Sequence, residues 1–150
     1  MFASFPINGT DLLKFIPQAP PFTFITSLEA VSTQKAFTTF VFNEKQTLCF
    51  NGTLSPAGVL EHIAQSAGCK SGYHDFVNGK KNRVAFIGEI KNFVCHRLPK
   101  AGELLRTEIT LEATVYDVVH IVSGKTFIGE EEIASCTLKI FFGQGEVVNS

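Results

Sequence analysis

The sequence predicts an α+β fold in which one antiparallel sheet packs against a single long helix. One long apolar segment at about 56–74 is typical of a helix, strand-like runs precede and follow it, and the strands do not alternate with helices as a parallel sheet requires. With 150 residues, 45% hydrophobic and 18% charged, the chain can bury one core. We therefore expect a single domain over 1–150, with an ordered core at about 12–142 and a tail at 143–150.

Charge and cysteine content argue against several classes of protein. The net charge is −1 and no extended basic patch is present, so we expect no nucleic-acid partner. The cysteines, Cys49, Cys69, Cys95 and Cys136, lack metal-ligand spacing, so we expect neither a metal nor another cofactor. The N-terminus lacks the basic start and the following apolar stretch of a secretory signal. No apolar run is long enough to span a membrane. A cytoplasmic location is therefore expected.

Before the long helix, the pattern predicts one short helix and two strands. The segment TDLLKFIP at 10–17 is typical of a short helix that is capped by Thr10 and ended by Pro17. Residues 22–31 and 36–42 are rich in Phe, Thr, Val and Ile, which favour strands.

The long helix has a clear beginning. Ser55 is a good N-cap, and Pro56 stands at the first helical position, where its missing N–H is not needed. The helix is expected to end near SGYH at 71–74. Its residues are apolar or small on nearly every side, which is typical of a buried helix.

After the helix, Asn78 and Gly79 predict a turn, and three long strand-like runs follow at about 83–97, 104–121 and 126–142. The predicted joints between them are LPKAGE and VSGK. In the last run the alternation places one set of apolar residues on a single face. These are Ala134, Cys136, Leu138, Ile140 and Phe142.

Glu61 lies in the second turn of this apolar helix, too far along it to be a capping acid. Burying a carboxylate there is unfavourable unless it has a partner. Gln65, one turn further on, can hydrogen-bond it. Two interpretations stay open for Glu61: a functional acid, or a structural side chain that reaches solvent or an ion-pair partner. His62 points about 100° away round the helix, so we expect a packed or solvent-edge histidine rather than a catalytic partner.

From about residue 12 to 142 the chain resembles the hot-dog-fold (3R)-hydroxyacyl-[acyl carrier protein] dehydratases. LLKFIPQAPPF is similar to their opening helix with its P-H-R-x-P-F segment. FNG followed by VLEHIAQSAG is similar to their F-x-G-H-F-P loop and L-x-E-A-x-A-Q-x-A-G helix. VAFIGEIKNFVCHRLPKAGELLRTEITL is similar to their F-x-G-I and F-K-R-P-V-x-P-G-D-x-L stretch. The chain looks closer still to the divergent aryl-polyene and flexirubin pigment branch.

The resemblance implies a curved antiparallel sheet wrapped round a central helix, a dimer joined edge to edge, and a tunnel for an acyl-phosphopantetheine at the dimer interface. In the family, a loop histidine of one subunit and a helix carboxylate of the other carry out the dehydration. Glu61 stands at the position of the carboxylate, with Gln65 beside it, and Thr53 stands at the position of the histidine. Gln18 and Ala19 replace the opening His and Arg, so the usual site is incomplete.

The resemblance also implies a substrate channel and a docking surface. Gly88 interrupts a strand-like run, which marks a bulge or a close approach of another group. The predicted channel residues are Gly58, Phe86, Ile87 and Gly88. The basic residues expected to meet an acidic acyl carrier protein are Lys91, Arg97 and Lys100.

Three functions remain open. The chain is a dehydratase of 3-hydroxyacyl thioesters in fatty-acid or polyene synthesis that uses Glu61 as acid or base, a hot-dog acyl thioesterase, or a non-catalytic subunit of a heteromeric dehydratase. The missing loop histidine favours a heteromer with a histidine-bearing paralogue over a homodimer. The alternative is that His62, His74 or His96 crosses the interface to replace it.

Overall fold

The computed structural model of the chain describes residues 5–80 and 83–143. Its helices are α1 (Gly9–Leu12), a 3-10 helix (Leu13–Phe15) and α2 (Pro56–Val77). Its strands are β1 (Ile7–Asn8), β2 (Ser27–Val31), β3 (Lys35–Phe40), β4 (Cys49–Phe50), β5 (Thr53–Leu54), β6 (Ala85–Cys95), β7 (Leu105–Val115), β8 (Val119–Ile128) and β9 (Glu131–Phe142). None of the helices in these ranges is long and apolar enough to cross a membrane.

The strands form one seven-stranded sheet in the order β1-β2-β3-β7-β8-β9-β6, and β4 and β5 form a separate hairpin. Every pairing is antiparallel. Register shifts interrupt the pairings β2–β3, β6–β9, β7–β8 and β8–β9, and such bulges bend strands and increase their twist. Helix α2 contacts β3, β7, β8 and β6. The predicted hot-dog arrangement, a sheet around one long helix, is confirmed.

Helix α2 begins as the sequence predicts. The Ser55 side chain accepts a hydrogen bond from the Gly58 backbone N–H at 3.2 Å, and Pro56 occupies the first turn. The helix continues beyond the predicted end to Val77, and Gly79, with φ of +69°, follows its cap Asn78.

The close packing of α2 against the sheet depends on Gly124 in the middle of β8. A Cβ atom there would lie 2.5 Å from Ile63 Cγ2 and 3.3 Å from Ile109 Cδ1. Ile63 and Ile109 are fully buried, so this contact lies at the centre of the core. The prediction of a joint at VSGK is therefore wrong, because the glycine that resembles a turn signal makes room for the helix instead.

The second and third strand-like runs in fact form three strands. The chain reverses at Tyr116 and Asp117, with φ of 52° and 58°, and again at Gly129, with φ of +60°. The alternation predicted for the last run is confirmed, since its apolar face is buried. The buried residues are Ala134, Cys136, Leu138, Ile140 and Phe142.

The N-terminal segment is more irregular than the sequence suggests. The predicted helix at 10–17 is split into α1 and the 3-10 helix, and its N-cap is Asn8 rather than Thr10. The strand predicted at 22–31 begins only at Ser27. Residues 22–26 run outside the sheet, and side chains of α2 bind their backbone, as described below.

We expect Gly124→Val to lower the free energy of unfolding by about 1–3 kcal/mol, because the added side chain overpacks the contact with Ile63. Urea denaturation measures the change. Gly68→Ala is the matched control, since a Cβ at Gly68 meets nothing within 4 Å and alanine favours a helix by about 1 kcal/mol over glycine. A Gly124→Val protein as stable as the wild type would contradict this account of the packing.

Candidate active site

A cavity of about 490 Å³ lies along one face of α2. The residues of α2 that line the cavity are spaced mostly three or four positions apart, so they lie on one face of the helix. They are Glu61, Ala64, Gln65, Gly68, Ser71, Gly72 and Asp75. From Glu61 to Asp75 the helix rises by about 21 Å. The expectation that α2 is buried on all sides is therefore wrong on this face, where small side chains form the floor of a groove.

The opposite wall of the cavity is mainly apolar. It comes from the 3-10 helix and the segment after it, from the start of β6, and from the end of β9. Its residues are Phe15, Ile16, Pro17, Gln18, Arg83, Val84, Ala85, Phe86, Ile87, Ile140 and Phe142. The predicted channel residues Phe86 and Ile87 thus lie in the same cavity as Glu61.

Glu61 is held by Gln65. The Gln65 Nε2 donates to Glu61 Oε2 at 2.8 Å and to the Phe22 carbonyl at 3.0 Å, while its Oε1 accepts from the Phe24 N–H at 2.8 Å. The predicted hydrogen bond between Gln65 and Glu61 is confirmed. Among the described residues of this protomer, Glu61 has no ion-pair partner. Its carboxylate is therefore fixed by a neutral amide and faces the cavity.

Gln18 brings an unused acceptor to the same cavity. Its Oε1 is buried and has no hydrogen-bond partner, which is uncommon in a folded protein. The sequence marks this position as a departure from the resembled dehydratases. A ligand with a donor group would satisfy this oxygen.

His62 is a packed histidine, as predicted. It is fully buried, its Nδ1 lies 2.7 Å from the Phe24 carbonyl oxygen, and its Nε2 lies 2.8 Å from Thr107 Oγ1. Burial lowers the pKa of His62 from 6.5 to about 4. It does not line the cavity.

The three remaining histidines are also not among the residues that line the cavity. The His74 Nε2 donates to the Ser32 carbonyl at 2.9 Å. The His120 ring lies 4.5 Å from the Phe142 ring centroid, and His96 is exposed on the surface. Within the described part of one protomer, no histidine accompanies Glu61 in the cavity.

The far end of the cavity carries an ion pair. The Arg83 Nε lies 3.3 Å from Asp75 Oδ2, and its Nη2 lies 3.4 Å from Oδ1. Arg83 also donates from Nη1 to the Asp117 carbonyl at 2.8 Å and stacks 4.4 Å over the Phe142 ring. The cavity therefore has carboxylates at both ends and an apolar middle.

Two predicted channel glycines and the predicted substitute for the histidine do not line this cavity. A Cβ at Gly88 would collide with the Phe141 ring, and the β6–β9 register shifts at this point, so Gly88 forms a bulge. Gly58 packs against Leu54 in β5, where a Cβ would lie 2.5 Å from Leu54 Cδ1. Thr53 lies in β5 itself. The roles predicted for all three remain predictions.

The basic residues predicted to meet a carrier protein differ in their surroundings. Arg97 is engaged by Glu103, with Nη1 to Oε1 at 3.1 Å, and by Glu131, with Nε to Oε1 at 3.3 Å. Lys91 and Lys100 are exposed, and Lys91 makes one long contact, from Nζ to Glu89 Oε2 at 3.8 Å. The structure therefore leaves the two lysines more available to a partner than the arginine.

Strand β6 is an edge of the sheet, and its apolar side chains are uncovered. Ile87 and Ile90 pair with Ile140 and Leu138 in β9, and directly opposed residues point to the same face. Ile140 and Leu138 are 4% and 0% exposed, whereas Ile87 and Ile90 are 38% and 44% exposed. The core face of the sheet thus extends onto β6 and ends there uncovered, which is unusual for an isolated protein.

Comparison with known proteins agrees with this geometry. The family model described as ApeP-like, ApeP dehydratase, matches residues 10–148. No protein of curated function matches the chain.

Solved structures share the fold at low sequence identity. A chain of the dehydratase heterocomplex ApeI:P from Xenorhabdus doucetiae has a TM-score of 0.80 and 14% identity, covering 88% of this chain and 90% of that one. Uncharacterized protein PH1136 from Pyrococcus horikoshii has a TM-score of 0.67 and 10% identity, with coverages of 93% and 95%. A hypothetical thioesterase with coenzyme A from Streptococcus pneumoniae has a TM-score of 0.61 and 9% identity, with coverages of 77% and 84%.

The lowered pKa of His62 predicts an acid-sensitive fold. Between about pH 6.5 and 4 the unfolded chain binds a proton at His62 that the folded chain does not, so the free energy of unfolding rises with pH across this window and falls on acidification. We expect the wild type to lose about 3 kcal/mol more than His62→Asn between pH 7 and 4, measured by urea denaturation at each pH. The pKa values of His74 and His120 are also lowered by burial, but both are present in each protein. Parallel pH profiles for the two proteins would contradict the prediction.

Proposed function

The chain belongs to the ApeP-like dehydratase family, and from this premise we propose that it is the acid-bearing chain of a heteromeric dehydratase. Its substrate is a 3-hydroxyacyl thioester carried by the phosphopantetheine of an acyl carrier protein. Glu61 acts in the reaction, and a histidine from a paralogous chain completes the site.

The reaction requires two groups, one that accepts a proton and one that donates a proton. A base removes a proton from C2, the C2–C3 double bond forms, and the C3 hydroxyl leaves as water after an acid protonates it. Glu61 is suited to meet the C3 hydroxyl, because it faces the cavity and Gln65 Nε2 fixes one of its oxygens at 2.8 Å. The other group must then accept the proton from C2.

The observation that carries the proposal is the cavity of one protomer, which contains Glu61 but no histidine among its lining residues. A site with Glu61 alone lacks the second group of an acid–base pair, in which the base and the acid are different residues. A second chain that carries the loop histidine supplies the missing group. The structural neighbour ApeI:P is itself a dehydratase heterocomplex, which supports this division of roles.

The edge strand β6 provides the surface for that partner. Its 11 residues offer free backbone groups for strand pairing, and the exposed Ile87 and Ile90 continue the core face. Burial of such side chains favours association by about 25 cal/mol per Å² of apolar surface. The cavity lies against the first part of this strand, so a partner paired with β6 stands next to the bound substrate.

The cavity supports an acyl chain as the substrate. An apolar groove of about 21 Å, with small residues on its floor, suits an extended chain that leads away from Glu61. The unpaired Gln18 Oε1 can accept a hydrogen bond from the substrate's hydroxyl or from a pantetheine amide. The exposed Lys91 and Lys100 are suited to an acidic carrier protein.

We expect the purified chain alone to be inactive and a mixture with its histidine-bearing paralogue to convert a 3-hydroxyacyl carrier-protein thioester to the enoyl product. Glu61→Gln should reduce turnover of the mixture by about 100- to 10,000-fold with little change in thermal stability, because glutamine can still accept the bond from Gln65. Mass spectrometry of the acyl carrier protein follows the loss of water. Release of free acid and free thiol instead would identify a thioesterase.

Ile90→Lys is the matched control for assembly. It places a charge on the exposed core face of β6 without touching Glu61, so the complex should fail to form by size-exclusion chromatography and activity should be lost with it. Full turnover by the homodimer alone, abolished by substitution of one of its own histidines, would overturn the heteromer.

We expect Gly68→Leu to shorten the range of acyl chains accepted. The leucine enters open cavity, since a Cβ at Gly68 meets nothing within 4 Å, and it lies about two helical turns from Glu61. Turnover of short chains should persist while that of long chains is lost, and the melting temperature should not fall. Equal loss for every chain length would show that the acyl chain does not follow this groove.

A further inference from the structure

His62 is bonded in a way that specifies one neutral tautomer. Its Nδ1 lies 2.7 Å from the Phe24 carbonyl oxygen, which can only accept, so Nδ1 carries the proton. Nε2 therefore accepts from the Thr107 hydroxyl at 2.8 Å. Thr107 can accept in turn from Thr126, whose Oγ1 lies 2.6 Å away. Every polar atom of the imidazole has a partner.

Phe24 connects this histidine to the candidate active site. Its carbonyl accepts from His62, and its N–H donates to Gln65 Oε1 at 2.8 Å. The Gln65 Nε2 then donates to Glu61 Oε2 at 2.8 Å. Phe24 is 2% exposed and Gln65 is 3% exposed, so water does not replace these bonds. The chain of bonds runs from the sheet through His62 to the cavity carboxylate.

We propose that His62 is a positioning residue, which fixes the backbone at Phe24 and thereby the direction in which Gln65 holds Glu61. The proposal rests on the proposed role of Glu61 in catalysis. Residues 22–26 belong to no strand. Thr26 is tied to β3 by its N–H bond to the Thr39 carbonyl at 2.7 Å, whereas the backbone of Phe22 and Phe24 bonds to the side chains of Gln65 and His62 in α2. Loss of the His62 bond leaves Phe24 bonded to α2 only through its N–H, so the donor that orients the Gln65 Oε1 is no longer fixed from the other side.

The packing of His62 can be separated from its hydrogen bonds by substitution. His62→Phe keeps a ring stacked on Phe40, whose centroid lies 5.3 Å from the imidazole, but it removes both hydrogen bonds. His62→Asn places an amide N–H near the position of Nδ1 and can still donate to Phe24. His62→Gln is longer and reaches towards Thr107 instead, so it serves as a second loss variant where His62→Phe does not fold.

The assembled complex with its histidine-bearing partner is the form to assay. We expect His62→Phe and His62→Gln to lower kcat by about 10- to 100-fold with little change in KM, as a small misplacement of a catalytic group does. His62→Asn should restore most of kcat. Thr38→Val is the control, because it removes a buried hydroxyl that bonds Ser66 at 2.7 Å under the same helix without touching Phe24 or Gln65.

A purely structural histidine gives a different result. Each variant would then lose activity only in step with its loss of stability, and Thr38→Val would behave like His62→Phe. A double-mutant cycle adds a second criterion. In a Gln65→Leu background, His62→Phe should have no further effect on kcat, whereas independent, multiplying effects would overturn the proposal.

Nuclear magnetic resonance of the full chain tests the positioning without any assay of turnover. In the wild type the Phe24 amide proton and the Gln65 side-chain amide protons should exchange slowly with solvent, because all of them are hydrogen-bonded in a buried place. His62→Phe should accelerate both exchanges and move the Gln65 amide shifts towards those of a solvated glutamine, while His62→Asn should not. Unchanged signals in His62→Phe would overturn the positioning role. If the signals change in His62→Phe but the assembled wild-type complex shows no dehydratase turnover, the positioning of Glu61 is supported and the proposed reaction is rejected.

Discussion

The packing of α2 inside the sheet is the constraint on which the rest of the structure depends. Where Ile63 meets Gly124, the helix lies so close to β8 that no side chain fits between them. Polar groups on the enclosed part of the helix must then find partners in the protein, because burial without one is unfavourable. Ser66 bonds Thr38, and the Lys70 Nζ donates to the Thr33 carbonyl at 2.8 Å. Of the helix carboxylates at the cavity, Asp75 is neutralised by Arg83 and Glu61 has only an amide.

The sequence predicts the elements whose determinants are local. Ser55 and Pro56 specify the start of α2, and strict alternation specifies the buried face of β9. The prediction of a joint at VSGK is wrong because a glycine in a polar stretch resembles a turn. Gly124 is required instead by its contact with Ile63, which lies in a distant element. The Gln65–Glu61 bond is predictable from their spacing on one helix. The bonds from Gln65 and His62 to Phe24 are not, because no pattern shows which backbone groups an irregular segment leaves free.

The uncovered edge of the sheet is a second consequence of the same architecture. Six of the seven strands form the sheet from β1 to β9, and β6 follows β9 at the end, with its core-facing isoleucines about two-fifths exposed. A protein that remained alone would be expected to blunt such an edge with charge or proline. Here the edge has Glu89 and Lys91 on its exposed surface, but the core-facing Ile87 and Ile90 are not replaced. The sheet thus ends on an uncovered edge, next to the first part of β6, which lines the cavity.

Two glycines in the middle of α2, Gly68 and Gly72, differ in whether the packing of the fold requires them. Each is unfavourable there by about 1 kcal/mol relative to alanine. Gly72 has a structural reason, because a Cβ there would collide with the Phe15 carbonyl, and the 3-10 helix could not pack on α2. Gly68 has no such reason, since the position of its missing Cβ is open for 4 Å. The lack of a side chain at Gly68 leaves open volume in the cavity, between the carboxylate of Glu61 and the ion pair at the far end. Packing of the fold therefore does not require the glycine at position 68, and its effect is to keep this part of the cavity open.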